Sequence, residues 1–212
     1  MGPVTKTMAG VLTLLLGAAV AQGMWMKVDE SVPGERLMAN IQRFIEQHPQ
    51  DPQSYYVLEQ LIDPQAQVRF DLAGNGSGRL WPWVKPQTGI LVWDPQRTGQ
   101  VTSGRQLFGS VTWWMFWSSG YEALAALDDD GDGFLRGREL EGLAVWRDAG
   151  SDAQSGPGEV VPVPVLGIER IAVHATQTQN GSGYSPEGIW MRDGRHLPTY
   201  DWTPIGQTQV VP

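Results

Sequence analysis

The stretch LDDDGDGFLRGREL, residues 127–140, packs four aspartates and two glycines into positions 128–133. Counted from Asp128, the carboxylates of Asp128, Asp130 and Asp132 stand at positions 1, 3 and 5. Gly133 stands at position 6, where a twelve-residue calcium loop turns sharply, and Glu139 closes the loop at position 12. This spacing wraps hard oxygen donors around one centre. It therefore predicts a calcium ion that neutralises the repulsion among the carboxylates.

Two further positions refine this prediction. Phe134 at position 7 is expected to offer its backbone carbonyl as a ligand. Arg136 at position 9 departs from the pattern, because a guanidinium cannot accept a bond from a metal-bound water and lowers the local negative charge. We therefore expect modest affinity, with a dissociation constant of roughly 10⁻⁴ to 10⁻³ M. The alternative is a solvated acidic turn without metal.

A degenerate copy of the loop follows in DAGSDAQSGPGE, residues 148–159. Asp148, Asp152 and Glu159 keep positions 1, 5 and 12. Gly150 replaces an acid, and Ala153 stands where the turn glycine belongs. The alternatives are weak calcium binding and a metal-free turn, and the sequence leaves both open.

Two earlier stretches match the calcium-loop pattern at fewer positions. DPQRTGQVTSGRQ keeps Asp94 and Gly99 without a closing acid, and DLAGNGSG keeps Asp71 and Gly76 before running into a strand. We interpret both mainly as turns rich in Gly and Asx residues.

The residue pattern of 67–212 predicts a β-rich domain, because short apolar runs alternate with Gly, Pro and Asn. Asp193-Gly194 predicts a hairpin turn. One helix is expected in SGYEALAAL, where Ser119 and Glu122 form a capping box, and a second is expected in LEGLAVWR after the acidic loop. The predicted fold class is α+β, with one EF-hand helix-loop-helix set in a β-rich domain.

The preceding part of the chain divides into two segments. Residues 22–66 predict a short helical hairpin, since Leu37, Ile41 and Phe44 recur at helical spacing and Asp51-Pro52 can start a second helix. One junction between tetratricopeptide-type repeats is the alternative, although such repeats need several copies to bury a core.

Residues 1–21 predict a signal peptide. Lys6 precedes an apolar run, and small residues lie at Ala19 and Ala21, where a signal peptidase needs them. We expect cleavage after Ala21, a secreted or periplasmic protein and no membrane span thereafter. A retained membrane anchor is the alternative.

The composition narrows the chemistry further. The chain has no Cys, which excludes disulfides and thiolate zinc sites, and its 3 His lack ligand spacing. A net charge of −8 without a basic run disfavours a nucleic-acid partner. Phosphate loops and hydrolase motifs are missing, so no enzymatic activity is expected. A glycosidase using Asp201 or Glu187 beside the tryptophans stays an alternative.

Ten Trp residues stand out, and TWWMFW at residues 112–117 holds several of them. As a strand, this stretch would place aromatic rings on both faces, which favours burial. The alternative is an exposed platform of Trp113, Trp114 and Trp117 for a glycan or a protein partner.

The blocks FDLAGNGSG, GILVWDPQRTGQVTSGRQLFGS, GYEALAALDDDGDGFLRGREL and LAVWRDAGSDAQSGPGEVVPV together resemble a bacterial family of exported EF-hand domain-containing proteins. The resemblance covers residues 70–173 and implies calcium ligands at Asp128, Asp130, Asp132 and Glu139. This sequence departs from the family's motif at Ala73, Gly150 and Ala153. It implies no established reaction. The sequence thus predicts an exported, non-enzymatic protein with a structural Ca²⁺, and a glycan- or protein-binding module is the alternative.

Overall fold

Two antiparallel β-sheets dominate the computed structural model, which describes residues 14–16, 61–175, 177–179 and 182–204. The larger sheet has the order β5-β8-β10-β11-β1-β4-β6-β7, with β9 paired to β10, and the smaller sheet pairs β2 with β3. The strands are β1 Leu14–Leu16, β2 Ile62–Phe70, β3 Arg79–Val84, β4 Gly89–Trp93, β5 Phe134–Arg136, β6 Leu143–Trp146, β7 Val160–Pro162, β8 Ile168–Ala172, β9 Gln177–Gln179, β10 Ser182–Met191 and β11 His196–Asp201.

The larger sheet is covered on both faces, as β4 and β6 show. Ile90 of β4 and Trp146 of β6 pack into an aromatic core with Trp83. Leu91 and Val145, the residues next to them in sequence, point to the opposite face and pack with the helix, β5 and β8. This two-sided burial explains why the strands read as continuous apolar runs.

The described residues contain one short α-helix, α1 (Gly120–Ala125), and four 3-10 turns. The helix follows the predicted capping signal, because the Ser119 hydroxyl accepts a hydrogen bond from the Glu122 backbone N–H at 3.0 Å. The 3-10 turns are Gly104–Gln106, Thr112–Trp114, Gly137–Leu140 and Val163–Leu166.

The α+β prediction with a helix-loop-helix is wrong. LEGLAVWR forms β6 instead of a helix, because Gly142 adopts a left-handed φ of 85° and Leu143–Trp146 is buried on both sides. A pair of helices flanking the loop, as in an EF-hand, is therefore absent among the described residues: the short helix α1 precedes the loop, and no helix of its kind follows it.

The helical hairpin predicted for the N-terminal segment is also wrong. The part of it that the structure describes begins at Leu61, which is helical, and from Ile62 onward it is strand β2, paired with β3 through Ile62 and Val84. The remaining residues of the predicted hairpin lie outside the described residues. No helical hairpin is present in the described part of the chain, where the end of the predicted segment pairs with β3.

The predicted hairpin at Asp193-Gly194 is confirmed. β10 and β11 pair with Ile189 opposite Leu197, and Gly194 takes φ 85° in the turn between them. Separately, none of the helices in the described ranges is long and apolar enough to cross a bilayer.

Asp201 at the end of β11 predicts a pH dependence of stability. Its side chain is 3% exposed, and burial raises the pKa of this carboxyl to about 8. Because the unfolded chain releases this proton near pH 4 while the native state keeps it, the free energy of unfolding should fall as pH rises from about 4 to 8, by up to about 1.4 kcal/mol per unit.

Denaturant titrations of the wild type and Asp201→Asn across that window measure this contribution, since the amide cannot ionise. Asp193→Asn is the control, because Asp193 is exposed and an Asn-Gly pair preserves the turn. Equal pH slopes for the wild type and Asp201→Asn would contradict the assignment.

Candidate functional site

The acidic loop brings three carboxylates together. Ligand oxygens of Asp128, Asp130 and Glu139 all lie within 4.8 Å of one another, a convergence that suits one cation. The loop follows α1 and contains β5, which pairs with β8 through Leu135 and Ile171. The three acids therefore lie between the end of the helix and the edge of the larger sheet.

The backbone of this loop is folded around the first aspartate. The Asp128 carboxylate accepts hydrogen bonds from the backbone N–H groups of Gly131 at 2.8 Å and Gly133 at 2.9 Å. Both glycines have left-handed backbones, with φ 70° and 88°. The turn that the sequence predicted at Gly133 is thus present, and it wraps the chain around the Asp128 carboxylate.

Glu139 closes the loop from the other end. Its Oε1 accepts from the Asp129 N–H at 2.8 Å, and its Oε2 accepts from the Arg136 N–H at 2.9 Å. These bonds fix the orientation of the carboxylate across the loop. They leave its remaining lone pairs available to a cation.

Asp132 is turned toward a different partner. Its carboxylate pairs with the Arg136 guanidinium and accepts the Phe134 N–H at 2.9 Å. A cation that recruits Asp132 must compete with this ion pair.

The same backbone turn occurs four times in the described residues. We name the copies loop 1 (residues 71–78), loop 2 (94–101), loop 3 (128–139) and loop 4 (148–159). In each, the carboxylate of the first-position aspartate accepts the N–H of the sixth residue at 2.7–2.9 Å. In each, the fourth and sixth residues have positive φ; these pairs are Gly74 and Gly76, Arg97 and Gly99, Gly131 and Gly133, and Ser151 and Ala153.

Loop 4 also keeps the closing acid of loop 3. Glu159 accepts the N–H groups of Ala149 at 2.9 Å and Gly156 at 2.7 Å, which are the same loop positions that Glu139 holds. The sequence suggested this copy through Asp148, Asp152 and Glu159. The structure shows that its backbone reproduces loop 3 even with Ala153 in the left-handed region at φ 59°.

The first aspartate of loop 4 is nevertheless engaged by protein. Asp148 is fully buried, and the indole Nε1–H of Trp83 donates to its Oδ2 at 2.6 Å. Oδ2 also accepts the Ala153 N–H at 2.7 Å. The indole therefore supplies the positive end of a dipole where loop 3 leaves room for an ion.

Loops 1 and 2 satisfy their aspartates with hydroxyl groups. In loop 1, Ser103 Oγ donates to Asp71 Oδ2 at 3.0 Å. In loop 2, Thr98 donates to Asp94 Oδ1 through its backbone N–H and its hydroxyl, both at 2.9 Å. These bonds support the interpretation of both loops as turns. No local pattern pointed to Trp83 or Ser103 as partners of these aspartates, because they lie 65 and 32 positions along the chain from Asp148 and Asp71.

The aromatic stretch at residues 112–117 is not a strand. Trp113, Trp114 and Phe116 all have left-handed backbones, with φ 52°, 63° and 57°. Such conformations are strained for residues with a Cβ, and strained backbone residues are more common at functional sites than elsewhere. Trp114, Met115 and Phe116 are 41%, 61% and 68% exposed.

This turn separates the three tryptophans of the predicted platform into two packed rings and one exposed ring. The Trp113 ring packs edge-on against Trp93 at 5.5 Å and Phe108 at 5.8 Å. Trp117 donates its indole N–H to the Thr112 carbonyl at 3.1 Å, and it packs with Trp113. Of the predicted trio, Trp114 is the exposed member, and Phe116 joins it at 5.2 Å.

Comparison with known proteins identifies the family. The SPM domain model matches residues 59–198. The iron-regulated protein FrpA of Neisseria meningitidis serogroup C is 33% identical over 107 residues, which cover 48% of this chain and 10% of that relative. The chain thus aligns with about a tenth of the length of this curated relative. The resemblance to exported EF-hand domain-containing proteins is wrong as a family assignment, because the family model that matches is the SPM domain and the loop spacing occurs here without a pair of flanking helices.

The Trp83–Asp148 contact predicts a specific loss of stability. Trp83→Phe should lower the free energy of unfolding by about 2 kcal/mol more than Trp146→Phe. Both indoles are fully buried, but Trp146 Nε1 has no hydrogen-bond acceptor in the described part of the chain, so its replacement loses ring volume alone. Urea unfolding of the two variants compares them directly. Equal losses would show that the Asp148 carboxylate does not depend on the indole.

Proposed function

We propose that this chain, which belongs to the SPM domain family, binds one calcium ion in loop 3. The observation that supports the proposal most strongly is the convergence of the Asp128, Asp130 and Glu139 oxygens within 4.8 Å. Carboxylate oxygens are the ligands that calcium prefers, and the Phe134 carbonyl and the Asp132 carboxylate can complete a shell of six to eight oxygens.

The ion acts structurally in this proposal. Loop 3 follows α1 and contains the edge strand β5, so an ion held by Asp128 and Glu139 would tie the end of the helix to the edge of the sheet. The backbone turn that positions Asp128 is already closed by its own hydrogen bonds. Calcium is therefore expected to stabilise this geometry without creating it, and we assign no chemical reaction to the loop.

Export is part of the same proposal. Removal of residues 1–21 takes away Lys6 and no acid, so the formal charge of −8 becomes −9. An acidic protein outside the cytoplasm meets the calcium concentrations that a modest-affinity loop requires. The mass of the protein recovered from its native host tests this directly, since cleavage after Ala21 leaves Gln22 at the new terminus.

A protein-binding role for the exposed aromatic turn is a second candidate. Arg105 covers one face of the Trp114 ring at 4.2 Å, and the Trp114 and Phe116 rings are tilted by 53°. A sugar ring needs an open, flat aromatic face, so this shape favours insertion into an apolar pocket of a protein over glycan stacking.

The calcium proposal predicts unequal effects of two matched substitutions. Glu139→Gln should weaken calcium binding at least tenfold, because a bidentate carboxylate becomes a neutral amide. Glu159→Gln makes the same change at the same position of loop 4. It should leave the affinity within about twofold, because loop 4 supplies no ligand to an ion in loop 3.

Calorimetric titration of calcium-stripped protein measures both variants, with one ion per wild-type chain expected. Calcium at ten times the dissociation constant should raise Tm by roughly 3–6 °C. Two equal sites, or equal losses in the two variants, would contradict the assignment to loop 3.

The aromatic turn predicts a second contrast. Asn tolerates the left-handed region, so Phe116→Asn should change the free energy of unfolding by no more than about 0.5 kcal/mol. Trp113→Asn at a similar φ should cost about 3 kcal/mol, because it removes a packed ring. Chemical denaturation separates them, and a large loss at Phe116 would make the turn a structural feature instead of a contact surface.

A further inference from the structure

Strand β1 is the one backbone connection between the two halves of the larger sheet in the described ranges. On one side Leu14, Leu15 and Leu16 pair with Asp201, Tyr200 and Thr199 of β11. On the other side Leu15 and Leu16 pair with Ile90 and Gly89 of β4. Leu14–Leu16 lies inside the segment that the sequence predicts to be removed on export.

Removal of this segment would leave β4 and β11 with unpaired backbone groups facing each other. Strands in a sheet are about 4.8 Å apart, so the two would be separated by about 10 Å, which is room for one strand. With β1 in place, the adjoining positions Gly89, Ile90, Thr199 and Tyr200 are buried. Unpaired N–H and C=O groups in such surroundings strongly favour a new partner strand.

Side-chain packing on both faces holds the two halves in place around this gap. On one face Tyr200 of β11 belongs to the same core as Ile90 of β4. On the other face Ile189 of β10 belongs to the same core as Leu91 and Val145. The halves therefore do not depend on β1 alone to stay side by side.

We propose that the gap between β4 and β11 is a strand-acceptor site. Once residues 1–21 are removed, an extended apolar segment of a partner protein pairs there in place of Leu14–Leu16. The proposal rests on the proposed export, and it assigns the partner by its chemistry: an apolar strand that runs antiparallel to both neighbours, as in other cases of strand addition.

Fragment exchange on the full chain tests the proposal independently of cleavage in the host. A protease site placed after Ala21 is cut in the folded protein, and a labelled peptide of residues 11–19 with two added lysines competes for the gap. We expect the excised segment to co-elute with the remainder and the peptide to displace it. A Leu15→Pro peptide should compete at least tenfold less well, because proline cannot donate to a neighbouring strand, whereas Leu15→Val should compete within about threefold.

Hydrogen exchange supplies the second readout. The amides of β4 and β11 that face the gap should lose protection when the segment leaves and regain it when the peptide binds. Immediate release of the segment with those amides still protected would show that β4 and β11 close on each other. Equal competition by the Leu15→Pro peptide would show general apolar adhesion. Either result overturns the proposal, and failure of export in the host would appear separately as retention of Met1.

Discussion

One hydrogen bond organises the loops of this protein: an aspartate carboxylate accepts the backbone N–H of the sixth residue in its loop. The left-handed fourth residue turns the chain so that this N–H approaches the carboxylate, and the sixth residue is itself left-handed. The bond recurs at Asp71, Asp94, Asp128 and Asp148. Each copy reverses the chain at an end of a strand or of the helix, so the sheets depend on where these turns stand.

The four copies differ in how the negative charge at the first position is balanced. Hydroxyl groups do so in loops 1 and 2, and a buried indole does so in loop 4. Among the described residues no hydroxyl or indole group donates to Asp128 in loop 3, and this loop adds the acids Asp130 and Glu139 beside it. A cation is the natural partner for that combination, since three carboxylates within 4.8 Å repel one another. Three turns thus use protein donors on a shared backbone design, and the calcium proposal assigns the fourth to a metal.

Local signals in the sequence were sufficient for the parts of the fold that are decided locally. Ser119 capped the helix that it predicted, Asp193-Gly194 turned the hairpin, and Gly133 turned the acidic loop. Their effects depend on a few neighbouring residues. The prediction failed at LEGLAVWR, where apolar residues at helical spacing also suit a strand buried on both faces, and only the neighbouring strands β4 and β7 decide between the two. The contact of Trp83 with Asp148 joins residues 65 positions apart, so spacing within a loop could not reveal it.

The central claim is that one of four similar turns holds calcium. Anomalous scattering from crystals grown with calcium tests it most directly, because the signal locates the ion without reference to any spectroscopic model. The account predicts a single peak in loop 3, at about 2.3–2.6 Å from oxygens of Asp128, Asp130 and Glu139. A peak in loop 4 with the Trp83 indole displaced from Asp148, or no peak in loop 3 at saturating calcium, would contradict it.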